Sequence, residues 1–69
     1  MKRIAVNSDE LLSIGYNAEL QVLEVEFSNH RIYQFVRVSA AVYAALISAS
    51  NITEYFKANI SENYLVQEV

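Results

Sequence analysis

The stretch LQVLEVEFSNHRIYQFV, Leu20 to Val36, decides the fold of this 69-residue chain. Its first half alternates in a period of two, which is typical of a strand with one buried face. Leu23, Val25 and Phe27 share the apolar face, while Glu24 and Glu26 point the other way with Val22. The polar SNHR that follows predicts a tight hairpin into a second strand, IYQFV.

The length of the hairpin loop sets which face each residue of the second strand occupies. If Asn29 and His30 are the two loop residues, Phe27 lies opposite Ile32. This register puts Ile32 and Val36 on the buried side. The opposite, exposed side, which also holds Glu24 and Glu26, then receives Tyr33, Phe35 and Arg37. A loop one residue longer reverses the assignment of this strand.

A further strand is predicted before this hairpin. LLSIGYN, Leu11 to Asn17, alternates so that Leu12, Ile14 and Tyr16 share a face, and Asn17 suits the opening of a turn around NAEL. Whether Tyr16 lies beside Tyr33 and Phe35 depends on how many residues this turn contains. The early RIAV is expected to extend the same strand across an irregularity near residues 7–9.

Two helices are predicted after Val38. Ser39 is a suitable N-cap for AAVYAALISAS, and Asn51 followed by Glu54 resembles a capping pair that opens a second helix ending near residues 61–63. We therefore expect an α+β fold over residues 1–69, a single domain in which a three-stranded antiparallel meander precedes two helices packed on one face. The tail LVQEV has the pattern of a short edge strand, in the same molecule or in a neighbour as a homodimer.

Composition narrows the function classes. The chain is 54% hydrophobic, which predicts a folded domain, and it has no cysteine, which excludes disulfides, thiolate metal sites and a cysteine nucleophile. No signal peptide or membrane span is visible, so a cytoplasmic location away from membranes is expected. A net charge of −3 with five Lys and Arg residues counts against binding nucleic acid through phosphates alone.

The ordered set S…IGYN…LEVEF…YQF…VYAALISAS…YF…I…Y, from about Ser8 to Tyr64, resembles the KTSC domain, a short module found alone in bacterial and phage proteins and at the C-terminus of some lysyl-tRNA synthetases. The central Tyr-x-Tyr of that family stands here as Tyr33-Gln34-Phe35. The resemblance implies no settled activity and suggests RNA binding through the link to the synthetase.

The chain departs from the family pattern at several positions. Ser39 replaces a proline that opens the first helix, and His30 replaces a hairpin glycine. Where the pattern has an arginine after the late isoleucine, this chain has Ser61, which weakens any anion-binding role carried over to that region. His30 takes a hairpin position that prefers positive φ, which should cost a fraction of a kcal/mol up to about 1 kcal/mol of folding free energy. Thr53 and Lys57 are the two other departures, replacing a glycine and an asparagine.

Enzymatic chemistry finds little support in the residues. His30, the single histidine, has no nucleophile signature around it. One histidine without cysteine builds no transition-metal site, and no acidic run has calcium-loop spacing. Glu24 and Glu26 share a strand face, but we interpret them as solvated residues or cross-strand partners of Arg31 and Arg37 rather than an acid/base pair. We expect a non-enzymatic protein without cofactor or metal.

The binding hypotheses rest on two aromatic rings, Tyr33 and Phe35, that share one face of the sheet. In the exposed register they form a stacking platform for RNA, single-stranded DNA or a nucleotide, with arginine meeting phosphate. The alternatives are cross-strand stabilisation, cover from the C-terminal part, or association with a protein partner or a second copy, including a phage-type role in which the protein blocks a host protein or sequesters a nucleotide. The candidate binding residues are Tyr16, Arg31, Tyr33, Phe35 and Arg37.

Overall fold

The computed structural model describes residues 2–69 as one antiparallel sheet with two helices on one of its faces. The α+β class predicted from the sequence is confirmed, but the sheet has five strands where three were expected. Its strands lie in chain order, β1 to β5, so neighbours in sequence are neighbours in space. The elements are β1 (Arg3–Ala5), β2 (Leu11–Asn17), β3 (Val22–Phe27), β4 (Ile32–Phe35), α1 (Ala40–Ser48), α2 (Ile52–Asn59) and β5 (Val66–Glu68).

The hairpin between β3 and β4 has a loop one residue longer than predicted. The amide of Phe27 donates to the carbonyl of Arg31 at 2.9 Å, and the amide of His30 donates to the carbonyl of Phe27 at 2.8 Å. Three residues, 28–30, therefore form the loop, and His30 closes it with a φ of 69°. A residue in the left-handed region is what a three-residue hairpin loop requires at its last position.

This longer loop reverses the predicted faces of β4. Val25 lies opposite Tyr33 and Leu23 opposite Phe35, so both rings turn toward the helices. The prediction that Tyr33 and Phe35 are exposed beside Glu24 and Glu26 is therefore wrong. Glu26 instead faces Ile32, because a shift of one residue moves every side chain of a strand to the other face.

The N-terminal part differs from the prediction in two ways. RIAV does not extend β2 but forms β1, a separate antiparallel neighbour whose Ile4 lies opposite Ile14. The register between β2 and β3 also shifts between Leu11 and Ser13, which marks a bulge at Leu12. Leu11 rather than Leu12 therefore joins the core with Ile14, and Leu12 is exposed.

Both predicted helix starts are confirmed. The Ser39 hydroxyl accepts a hydrogen bond from the amide of Val42, and the Asn51 side-chain carbonyl accepts one from the amide of Glu54 at 3.0 Å. These caps satisfy amides that have no partner within the helix. The second helix ends at Asn59, slightly earlier than expected.

The core lies between the sheet and the two helices. It gathers buried residues of β2, β3 and β4 with Val38, Leu46, Phe56 and Ile60. Phe56 of α2 packs edge-on against Phe35 with ring centroids 5.4 Å apart. Among residues 2–69 there is no helix with the length and apolar character needed to cross a bilayer.

Candidate interaction surface

The face of the sheet opposite the helices, here the open face, is crossed by one continuous line of residues. Strand pairing sets Arg3 opposite Gly15, Gly15 opposite Glu24, Glu24 opposite Gln34, and Gln34 opposite Gln67. Each of the five strands contributes one member. We call these five residues the polar row.

Hydrogen bonds connect the members of the polar row. The Arg3 guanidinium donates to Glu24 Oε2 at 2.5 Å, the Gln34 amide donates to Glu24 Oε1 at 2.9 Å, and the Gln67 amide donates to Gln34 Oε1 at 3.4 Å. Arg3 reaches Glu24 across the intervening strand β2, where Gly15 has no side chain to obstruct it. Absence of a Cβ is what permits such a close approach.

Glu24 is the centre of this network, and only 7% of the residue is exposed. Burial alone raises the pKa of its carboxyl group. The hydrogen bonds from Gln34 and Arg3, together with the positive charge of Arg3, outweigh burial and lower the pKa below its ordinary value. Glu24 is therefore a paired structural carboxylate rather than a proton donor at neutral pH.

Glu26 lies next to the polar row and is also paired. Its carboxylate accepts a hydrogen bond from Ser13 at 3.0 Å and lies 3.5 Å from His30 Nδ1. Cross-strand partners were predicted for both glutamates, but Arg31 and Arg37 were the wrong partners, because Arg3 on β1 takes that role. Residues 2–69 bring together no group of three or more His, Asp or Glu residues suited to a metal ion.

The end of the open face formed by β4 and β5 has aliphatic side chains on both sides of the Gln34–Gln67 pair. The amide of Val36 donates to the carbonyl of Leu65, and the amide of Val69 donates to the carbonyl of Ile32, so the pairing continues past both ends of β5. Because side chains alternate along a strand, Leu65 and Val69 lie on the open face with Val36 and Ile32. Leu65 is 76% exposed and Val69 is 64% exposed. We call this surface the aliphatic patch, formed by Val22, Ile32, Val36, Leu65 and Val69.

Three of the five predicted site residues lie on the helix side of the sheet. Phe35 is buried, and Tyr33 packs edge-on against Phe27 at 5.4 Å. Tyr16 stacks on Tyr43 of α1 with centroids 4.7 Å apart, and its hydroxyl donates to the carbonyl of Val38 at 2.5 Å. Tyr16 and Phe35 thus contact the helices, and none of the three rings lies on the open face.

The two predicted arginines are exposed but do not flank a ring surface on the open face. Arg31 donates to both carboxylate oxygens of Glu68 at 3.2 Å across the β4–β5 pair. Arg37 follows β4 with a φ of 61°, at the point where the chain turns toward α1. Ligand binding by Arg31 and Arg37 stays a prediction.

A separate cleft opens on the helix side, between the start of β2, the end of β3 and α2. Its volume is about 230 Å³. Leu11, Phe27 and Phe56 form its apolar floor, while Thr53 and Ser61 add hydroxyl groups. Lys57 and Glu10 form an ion pair at this cleft, with Nζ and Oε2 2.5 Å apart.

Sequence reasoning missed the aliphatic patch, the polar row and the cleft. The signal that was available is His30: a non-glycine residue that tolerates positive φ favours the three-residue loop, which would have turned Ile32 and Gln34 outward. The cleft pairs Glu10 with Lys57, residues 47 positions apart, so no local pattern predicts it.

The geometry defines a small α+β domain whose sheet is packed on one face and open on the other. The KTSC domain model matches residues 7–64, and this chain belongs to the KTSC domain family. An uncharacterized protein of Stutzerimonas stutzeri (strain A1501) is 43% identical over 56 residues, which cover 81% of this chain and 79% of that protein. The crystal structure of a KTSC domain protein from Yersinia pestis matches with a TM-score of 0.96 at 28% identity, covering 99% of this chain and 96% of that one.

Proposed function

We propose that this KTSC domain is a non-enzymatic protein-interaction module whose open face pairs with the open face of a second copy. The observation that carries the proposal is the aliphatic patch. Leu65 and Val69 are large apolar residues left mostly in solvent beside Ile32 and Val36. The two halves of the patch flank the Gln34–Gln67 pair, and exposed apolar surface of this kind is typical of association sites on small soluble domains.

Charge and area both suit a second copy. The patch has no ionisable side chain, and the amides of Gln34 and Gln67 beside it both donate and accept hydrogen bonds, so two identical patches meet without like-charge repulsion. The domain measures 27 × 23 × 22 Å. Face-to-face contact would bury on the order of 500 Å² per chain, which reaches the roughly 1,000 Å² expected of a specific interface.

The nucleic-acid hypothesis receives less support. It required exposed rings beside arginine, whereas Phe35 is buried and the open face holds the carboxylates of Glu24 and Glu26. Carboxylates repel a phosphate backbone. A platform without rings also lacks the stacking on which single-strand binding depends.

Sedimentation equilibrium over a wide concentration range tests the proposal. We expect the wild-type chain to form a dimer whose population rises with concentration. A double variant, Leu65→Ser with Val69→Ser, should remain monomeric and folded, because both side chains are exposed. Ile47→Ser is the matched control, since Ile47 is an exposed apolar residue on α1 and should leave the dimer intact.

Three results would overturn the proposal. A wild-type monomer at the highest concentration would remove the second copy as the occupant. A dimer that survives the double variant would remove the aliphatic patch as the surface. Salt-dependent binding of a single-stranded RNA that the double variant abolishes would replace self-association by nucleic-acid recognition.

A further inference from the structure

We infer that the cleft of Leu11, Phe27 and Phe56 is a binding site for a small organic amine that carries one ring or short apolar chain. This site lies on the helix side of the sheet and is independent of the open face. Its volume of about 230 Å³ sets the size of the occupant. A cavity of about 150 Å³ lined by apolar side chains holds benzene, so this cleft has room for one ring with a short polar group.

The floor of the cleft selects an apolar group. Leu11 and Phe56 are nearly completely buried, and Phe27 packs edge-on against Phe56 with centroids 5.6 Å apart. These contacts fix the walls, so a ligand need not order them. An apolar group that displaces water from such a preformed surface gains binding energy from area burial.

The charges at the cleft select a cation. Glu10 already holds an ammonium group, because Lys57 Nζ lies 2.5 Å from its Oε2. The Lys57 side chain is 61% exposed, so it is free to leave toward solvent while a ligand ammonium takes its place. Glu10 is the single carboxylate among the residues that line the cleft, so it is the group that a ligand ammonium would meet.

Titration with three ligands of one size tests the inference. Benzylamine, benzyl alcohol and benzoate differ in charge but share the ring, and ¹⁵N chemical shifts report both the affinity and the place of binding. We expect benzylamine to bind several-fold more tightly than the other two, with shifts at Phe27, Phe56 and their neighbours. Equal affinities, tighter binding of benzoate, or shifts confined to the open face would each overturn the assignment.

Two variants give opposite expected effects on benzylamine. Glu10→Gln removes the carboxylate and should weaken binding by roughly threefold to tenfold, in the range of a partly solvated charge-assisted hydrogen bond. Lys57→Met removes the internal competitor and should strengthen binding. If Lys57→Met weakens benzylamine binding instead, the cation preference is wrong.

Further controls separate the local effect from folding and from net charge. Glu19→Gln makes the same change of charge in the β2–β3 turn, outside the cleft, and should leave the affinity unchanged because salt screens distant charges. Loss of an exposed ion pair affects stability little, so each variant should unfold at nearly the wild-type temperature. A short amidated peptide with an N-terminal phenylalanine should bind more weakly than benzylamine; tighter binding would reassign the site to a peptide.

Discussion

Gly15 lies between Arg3 and Glu24 in the polar row and, without a side chain, contributes no charge to it. Facing Cβ atoms on neighbouring strands are only about 4.5–5.5 Å apart, so a side chain at this position would stand in the path of Arg3 toward Glu24. Gly15 is also extended rather than in the left-handed region, since no glycine of residues 2–69 has positive φ. The role of Gly15 is therefore to let the Arg3 side chain cross β2 and reach Glu24, and not to form a turn.

The pairing of Glu24 predicts how the stability of the domain depends on pH. Because the pKa of this carboxyl is lower in the folded state than its ordinary value of 4.5, the folded state binds fewer protons than the unfolded chain in this range. The stabilisation is fully present above the ordinary pKa and is lost as pH falls through the folded-state pKa. Glu24→Gln should lower the free energy of unfolding at neutral pH by about 1–2 kcal/mol.

Urea unfolding at several pH values measures this effect. The difference between wild type and Glu24→Gln should begin to shrink as the pH falls below 4.5 and vanish below the folded-state pKa, since the unfolded chain is protonated first and the folded carboxylate only at lower pH. Glu19→Gln, in an exposed turn, is the control and should show no such convergence. A difference that stays constant down to low pH would mean that charge on Glu24 contributes nothing.

His30 shows how one residue decides a face. The sequence predicted a strained position there and a two-residue loop, and the left-handed φ of His30 is confirmed while the loop length is wrong. His30 favours the three-residue loop only weakly, because the two-residue loop also places residues with positive φ at the turn. The wrong loop length put Tyr33 and Phe35 on the wrong face of the sheet.

At the scale of elements, β5 has two kinds of backbone amide. The bonds of Leu65 and Val69 with β4, and the pairing of Gln67 with Gln34, mean that residues 65, 67 and 69 direct their amides and carbonyls toward β4. Val66 directs its own toward the free edge of the sheet. Proline lacks an amide hydrogen, so its effect depends on whether the residue it replaces directs its amide toward β4 or toward the free edge.

We expect Val66→Pro to preserve β5 and Gln67→Pro to detach it. Hydrogen exchange at the amides of Val36 and Val69 is the measurement, since both bond across the β4–β5 pair. Protection should persist in Val66→Pro and fall in Gln67→Pro. Equal loss of protection in both variants would contradict the proposed register of the edge strand.

The longer elements were the easiest to predict from sequence, and of the short strands only β1 was not predicted as a strand of its own. Strands β2 and β3 and both helices span six or more residues, enough for a period and a cap to be visible. Strand β1 has three residues, whose alternation is indistinguishable from an extension of β2. The tail was predicted as an edge strand, and β5 confirms it within the same molecule.

For the whole molecule, the central question is which face of the sheet is packed. Phe35→Leu should reduce the free energy of unfolding by about 1–2 kcal/mol, because it removes ring contacts with Phe56 in the core. Ile32→Val, on the open face three residues away, should change it by less than about 0.5 kcal/mol. Denaturant midpoints of the two variants give the comparison, and a larger effect at Ile32 would reverse the assignment of faces.

The candidate site was harder to predict than the fold because it combines distant parts of the chain. The aliphatic patch joins Ile32 to Leu65 and Val69, and the polar row joins Arg3 to Gln67. Each of these residues alone is an ordinary strand residue. Whether these residues share one surface depends on the register of four strand pairs. A sequence pattern constrains such registers only where the turns are unambiguous.

The polar row has a consequence for how the chain avoids mispairing. A strand that slips by one position carries its own member of the row into the apolar interior, leaving a charge or an amide without its partner. Each strand is thereby held in register by the members of the row on its neighbours, from Arg3 on β1 to Gln67 on β5. Correct alignment of so small a sheet thus depends on these five side-by-side positions as well as on its turns.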